Sequence, residues 1–452
     1  MKKNIKLIFT FLLILCFFNC DSKWINYFYP YTNIDNELTN SKPEYVNIIG
    51  YTQPEIEIAD MLEIKEEELT AVEEPLIDEM DIYRKYSGVY ELPIIGATGY
   101  AAMDLPLYGF PAERANVIRI LDAGQGFTIL IEESNWWYID VNNIRGWVKC
   151  NYCMINIPDI IPSIIHNNTN TYSSLFRSSG FNIPNVTGRV LYNSKDFNAR
   201  LFREEYIAPV LYGMAGKIYD AQIAALADGN SLVIYEAFRP AGAHDIVYDE
   251  LLRLAETNST VYRGMNTPPY TTRWFLLPAP FNHQRGTAID VSLAKVLNTE
   301  TRITGSYEYL YISKYEEYRM QTPMHELSIQ AVVFRDIVSS VSETAWRNTV
   351  FSDRATEGTK LMHKYLTGAG LTPLVSEWWH FNDLPYTRFA TLNRISGRYL
   401  LDRTYSIPPV NTAPPRSQIL LEQRQMLAER IIWMQEALKD LDVYLNNLGR
   451  QR

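Results

Sequence analysis

Residues 281–293 read Phe281-Asn282-His283-Gln284-Arg285-Gly286-Thr287-Ala288-Ile289-Asp290-Val291-Ser292-Leu293. A His and an Asp stand seven residues apart here, with a Gly between them. Gly286 reaches backbone conformations that residues bearing a side chain resist, so it marks a turn. The residues after it are β-branched or apolar and predict a strand over 287–293. His283 then precedes the turn and Asp290 lies within the strand. That arrangement can bring an imidazole nitrogen and a carboxylate oxygen to one point. Such atoms hold Zn²⁺, but a zinc site needs a third protein ligand. One is offered about ninety residues on, in Ser376-Glu377-Trp378-Trp379-His380-Phe381-Asn382-Asp383, where Glu377 and His380 are three apart. A His seven residues before an Asp is also common by chance, so the pair alone does not make a site.

Length and charge set the frame. At 452 residues the chain exceeds one ordinary domain, and two or three are expected. The net charge of −10 is local. Twelve acids and one Lys fall between Glu55 and Asp81, which leaves the rest of the chain near +1. No basic stripe appears, so nucleic-acid binding has no electrostatic footprint. The acidic block reads as a solvated linker or an exposed helix within a tether over 21–87.

The N-terminus reads as a targeting signal. Lys2, Lys3 and Lys6 lead into an apolar run over 7–18 that is too short to span a bilayer and suits a secretory signal. Phe17-Phe18-Asn19-Cys20 resembles a bacterial lipobox, with Phe and Asn where small residues are usual. Residues 1–20 are therefore expected to be a lipoprotein-type signal, with Cys20 acylated and the protein membrane-anchored. Cys16, a plain signal peptide and an uncleaved anchor are the alternatives. All of them export the chain to the periplasm or cell envelope. Cys150 and Cys153 remain, and a disulfide or two free thiols fit them better than zinc, since no second Cys pair exists.

Between the tether and residue 157 the pattern is short strands of five or six residues with Gly and Asn turns, which suggests a small barrel. Trp136-Trp137-Tyr138-Ile139-Asp140-Val141 followed by Gly146-Trp147-Val148 resembles a bacterial SH3 domain, assigned here to 88–157. That resemblance implies binding to cell-wall peptides; the alternative is that these Trp are simply core and rim. Beyond it, helices are predicted over 206–227, 242–256, 326–342 and 356–365, and a strand over 231–238. Irregular alternation of strands and helices predicts an α+β domain over 158–405, one sheet flanked by helices. After a Pro-rich break, Leu427, Ile431, Met434, Leu438, Leu441, Leu445 and Leu448 form an a/d seam in an amphipathic helix over 416–449. It packs on its own domain or dimerises as a short coiled coil through 427–448; three heptads are marginal alone, which slightly favours the first.

Three segments in order, Tyr235-Glu236-Ala237-Phe238-Arg239-Pro240, then 282–293, then 377–383, resemble the D-alanyl-D-alanine dipeptidases of the vancomycin-resistance type and their carboxypeptidase relatives. The resemblance covers about residues 160–400. It implies a zinc peptidase with His283, Asp290 and His380 as ligands, Glu377 as catalytic base and Arg239 as catalytic arginine. The implied substrate is a D-Ala-D-Ala dipeptide, or, in the carboxypeptidase alternative, a longer peptidoglycan peptide. Two departures stand out. The family's Ser two residues before the first His is Phe281 here, and the Asp that receives the substrate amine is replaced by His325, with Glu326 beside it. These two are the expected substrate-binding residues. A reading from a different class is a wall-binding scaffold lipoprotein with a disused peptidase fold.

Overall fold

In the computed structural model, residues 84–409, 428 and 431–439 are described. The expected signal segment with Cys16 and Cys20, almost all of the acidic tether, and Leu427, Leu441, Leu445 and Leu448 of the C-terminal seam lie outside them. Contacts divide the chain into units 1–77 and 78–452, so every described residue belongs to the second. It is an α+β fold built on two large, mainly antiparallel sheets. Among the described residues no helix is long and apolar enough to cross a membrane.

The first sheet holds Thr98–Ala101 (β1), Leu105–Tyr108 (β2), Val117–Leu121 (β3), Gly126–Glu133 (β4), Trp136–Val141 (β5), Ile144–Lys149 (β6) and Cys153–Asn156 (β7). Side chains alternate across it with period two. On β5, Trp137, Ile139 and Val141 enter the main core, while Trp136 and Tyr138 join Trp147 in a second, aromatic cluster. The turn from β5 to β6 uses Asn142 and Asn143, both at positive φ (53° and 63°), as tight two-residue hairpins require. Truncating a fully buried side chain such as Trp137 or Phe127 to Ala costs about 3–5 kcal/mol.

Two further strands, Ile165–His166 (β8) and Pro209–Leu211 (β9), lead into the second half. β9 pairs with β7, so the first sheet runs β9-β7-β1-β4-β5-β6-β2-β3. The expected boundary at 157/158 thus falls inside a continuous hydrogen-bonded sheet. This pairing also shortens the first predicted helix: α1 spans Tyr212–Ala227, because residues 209–211 are drawn into the sheet. Met214, Ala215, Ile218, Ala221, Gln222 and Ala225 form its buried stripe.

The second sheet centres on Asn230–Glu236 (β10), buried along its whole length, and Ala288–Thr304 (β11). Between them lie α2 (Ala241–Thr257) and α3 (Ser259–Met265). The predicted strand over 287–293 is only the first part of β11, which continues into a long hairpin with β12 (Tyr307–Glu317). That hairpin carries Thr, Tyr and Ile at alternate positions but also many charges, and most of 295–303 on β11 and all of 313–316 on β12 are exposed, so no apolar run announced it. After α4 (Glu357–Gly368), β13 (Thr372–Pro373) and β14 (His380–Asn382) close on the start of β11, followed by α5 (Leu384–Leu392).

The predicted helix over 326–342 does not form. Leu327, Ala331, Val332, Val333 and Phe334 are buried, but as irregular chain pinned by backbone pairing of Arg177 with Glu326 and Phe334 with Phe351. Val332, Val333, Ile337, Val338 and Val341 are β-branched and resist helix. Cys150 and Cys153 are free, buried thiols; burial pushes the Cys150 pKa up to about 12. Residues 431–439 are helical, with Ile431, Met434 and Leu438 of the seam 37%, 51% and 51% exposed, which does not match a face packed on the chain's own core.

Candidate metal centre

The site is assembled by strand register. Asp290 on β11 stands directly opposite His380 on β14 and, on its other side, opposite Glu236 on β10. Directly opposed residues of neighbouring strands project from the same face with their Cβ atoms about 5 Å apart. A bulge between Ile234 and Glu236 aims Glu236 at this level, a common use of bulges beside functional sites. His283 arrives from the turn His283–Arg285, which Gly286 ends at φ 66°. A Cβ on Gly286 would meet the Leu211 backbone nitrogen at 3.0 Å, so both conformation and space call for glycine.

Three ligand-type atoms meet in a near-equilateral triangle. His283 Nε2 lies 3.1 Å from Asp290 Oδ1 and 3.1 Å from His380 Nδ1, and His380 Nδ1 lies 3.1 Å from Asp290 Oδ1. The outer nitrogens are held as well. His283 Nδ1 donates to Ala237 O (2.7 Å) and His380 Nε2 donates to Asn382 Oδ1 (2.9 Å), itself bonded by Asn282 Nδ2 (2.6 Å). These bonds fix the tautomers that leave the inner nitrogens bare, the usual support of metal-binding imidazoles. All three residues are buried, and together they can hold a metal ion.

The electrostatics follow from crowding. Burial alone would raise the Asp290 carboxyl, but His283, His325 and His380 around it hold it well below the carboxylate range. Burial lowers His283. His380 is also penalised by burial, yet Asp290 and Glu377 beside it lift it above the ordinary imidazole value. Glu377 lies in the turn before β14, only 6% exposed, with Oε2 3.7 Å from His380 Nδ1. Burial pushes its pKa up to about 8.

Arg239 stands behind the triangle. Nη2 donates to Asp290 Oδ2 (2.9 Å) and to Glu236, Nε donates to Glu236 Oε2 (2.7 Å), and Nη1 donates to His244 Nδ1 (3.2 Å). Glu236, which burial would raise, is lowered by this guanidinium. It also accepts from Asn170 Nδ2 (2.8 Å) and from the Tyr192 hydroxyl. Glu236, Asp290 and His325 form a second group of metal-type atoms, but Arg239 already supplies the cation that the two carboxylates need.

His325 is fully buried, with Nε2 3.1 Å from Asp290 Oδ2. Glu326 is not part of the cluster: its carboxylate accepts from the Ser179 amide, the Gly180 amide (3.1 Å) and Ser328 Oγ (2.7 Å). Trp378 and Trp379 are buried packing residues. Sequence reasoning passed over Glu236, Asn282, Asn382 and Phe176. Only the two Asn carried a signal, each standing one or two residues from a His of the triangle. The chain matches no protein-family model, and no curated protein matches it significantly.

Proposed function

We propose that the chain is a zinc-dependent hydrolase of the peptide bond between D-Ala residues. The observation that carries this is the triangle of His283 Nε2, Asp290 Oδ1 and His380 Nδ1 at 3.1 Å spacing with the Glu377 carboxylate beside it. Ligands about 2.0–2.1 Å from a tetrahedral zinc are about 3.3 Å apart, so the donor set fits with little movement. Two imidazoles do not suit Mg²⁺ or Ca²⁺, which take oxygen ligands. Two His and one carboxylate also suit Fe²⁺. The buried carboxylate of Glu377 favours hydrolysis, because a proton acceptor next to the ligands has a task in that chemistry.

When bound, zinc supplies a Lewis acid that brings a water's pKa down toward about 7. With zinc held by His283, Asp290 and His380, the Glu377 carboxylate would serve as the general base, accepting a proton from water and passing it to the leaving amine. Arg239 orients Asp290; its bonds to Glu236, Asp290 and His244 use four of its five hydrogens, leaving one on Nη1 for a developing oxyanion.

The family resemblance points to a free dipeptide as substrate. A second reading, a D,D-carboxypeptidase acting on longer peptidoglycan peptides, is favoured by the two residues expected to receive the free amine. His325 is committed to Asp290 and Glu326 to backbone amides. The 88–157 segment as an SH3-like wall-peptide binder, and export with a lipid anchor on Cys20, complete the proposal. Incubating the zinc-loaded protein with D-Ala-D-Ala and with a pentapeptide ending in D-Ala-D-Ala tests it. Release of D-Ala that stops with chelator and returns with zinc is expected, and the substrate cut tells dipeptidase from carboxypeptidase. Cleavage of neither, or iron stoichiometry with oxygen uptake, overturns the proposal.

A further inference from the structure

We propose that His325 is a positioning residue that, with Arg239, clamps the outer oxygen of Asp290 and so keeps this carboxylate a one-oxygen ligand. The inference rests on the metal reading above.

The two oxygens of Asp290 are divided between two tasks. Oδ1 faces the inner nitrogens of His283 and His380 at 3.1 Å each. Oδ2 accepts from Arg239 Nη2 at 2.9 Å and lies 3.1 Å from His325 Nε2. An ionised carboxylate only accepts, so the His325 proton sits on Nε2. Its other nitrogen, Nδ1, is buried with no hydrogen-bond partner among the described residues. A buried polar atom left without a partner is unfavourable. The fold tolerates it at a residue whose opposite nitrogen reaches Asp290.

The ring has little room to turn away. It stacks on Phe176 with centroids 4.1 Å apart and planes 9° from parallel, and meets the edge of Trp379 at 5.9 Å. Phe176 carries the Arg239 guanidinium 4.9 Å from its ring centre, so one aromatic ring seats both donors of the clamp. The His325 backbone holds φ 62°, a left-handed conformation that His adopts more readily than most residues. Its carbonyl is fixed by the Arg177 amide at 3.1 Å.

A carboxylate free at its outer oxygen can swing both oxygens onto a cation, adding a ligand and crowding the place needed for water. Two buried donors on Oδ2 oppose that swing. A residue that merely fills space beside Asp290 would not govern coordination number, which gives a readout separate from turnover. Co²⁺ reports it, since four-coordinate sites absorb visible light much more strongly than five-coordinate ones.

The test compares the Co²⁺ form of the full chain with His325→Phe, which keeps a stacking ring and removes the donor, and His325→Gln, which restores an N–H at similar reach. The expected result is an intense four-coordinate spectrum for the parent, a several-fold weaker one for His325→Phe, and recovery in His325→Gln. Metal affinity should fall about 10–100-fold in the Phe variant, the usual effect of losing a group that supports a ligand. Should His325→Phe fail to fold, Arg239→Met, which removes the other half of the clamp, should weaken the spectrum in the same direction. Parent-like spectrum and affinity in a folded His325→Phe or Arg239→Met variant overturn the clamp while leaving the metal site standing. A parent that binds neither Co²⁺ nor Zn²⁺ overturns both.

Discussion

The two faces of β14 bury histidine in opposite ways. His380 points to the Asp290 side, where both ring nitrogens are engaged and the imidazole is lifted above its ordinary pKa against the penalty of burial. Its neighbour Phe381 points the other way, onto His363 on α4, with ring centres 4.9 Å apart. His363 is ringed also by Phe334 and Phe351 at 5.4 and 5.3 Å, and neither of its nitrogens has a hydrogen-bond partner among the described residues. Burial drives its pKa down to about 3. Burial is common to both. What differs is the company: a carboxylate on one face raises the imidazole's hold on a proton, and phenyl rings on the other keep it a neutral filler.

The comparison can be broken most forcefully at its centre. Asp290→Ala removes a proposed ligand and leaves Arg239 with one carboxylate instead of two. Loss of zinc stoichiometry and about 3–5 kcal/mol of stability are expected in denaturant titration. Unchanged metal content would show that the triangle is not the site. Glu377→Gln should bind zinc at parental stoichiometry while turnover falls about 10²–10⁴-fold, the contribution of a general base. Parental turnover would remove Glu377 from its role. Asn382→Ala frees the outer nitrogen of His380 and should weaken metal binding about 10–100-fold by competition with a chelating dye.

The smallest effect near neutral pH lies on the aromatic face. The unfolded chain protonates His363 below about 6.5, whereas the fold does so only near about 3. Stability from this residue is therefore complete above pH about 6.5 and falls as pH is lowered toward about 3, by about 1.4 kcal/mol per unit. His244 and His166, both lowered to about 4 by burial, add to the same acid slope. Thermal melts of His363→Leu between pH 7 and 4 should be flatter than those of the parent. An equal slope would mean that His363 is not held neutral in the fold.

Much of the site could be read in the chain because its chemistry is local. His283, Gly286 and Asp290 fall within eight residues, and the β-branched run after the glycine announced the strand that carries Asp290. Glu377 and His380 are close in the same sense. The long hairpin of β11 and β12 was missed because its exposed stretches carry charges instead of an apolar face. The helix expected over 326–342 failed because Glu326 and Phe334 found partners in distant segments, at Arg177 and Phe351, that outweighed a weak local preference. Such long-range pairings leave no periodic trace.

The atoms on offer were legible in the chain: two imidazoles, an aspartate and a glutamate placed where a turn and strand ends can present them. Side-chain chemistry and short-range backbone preference are properties of a few adjacent residues, so they survive in one dimension. It took the fold to settle which oxygen of Asp290 faces His283 and His380, that Arg239 and His325 hold the other, and that Glu326 turns away. Those outcomes depend on the register of β10, β11 and β14 and on the ring of Phe176, which come from parts of the chain as far apart as Phe176 and Asn382.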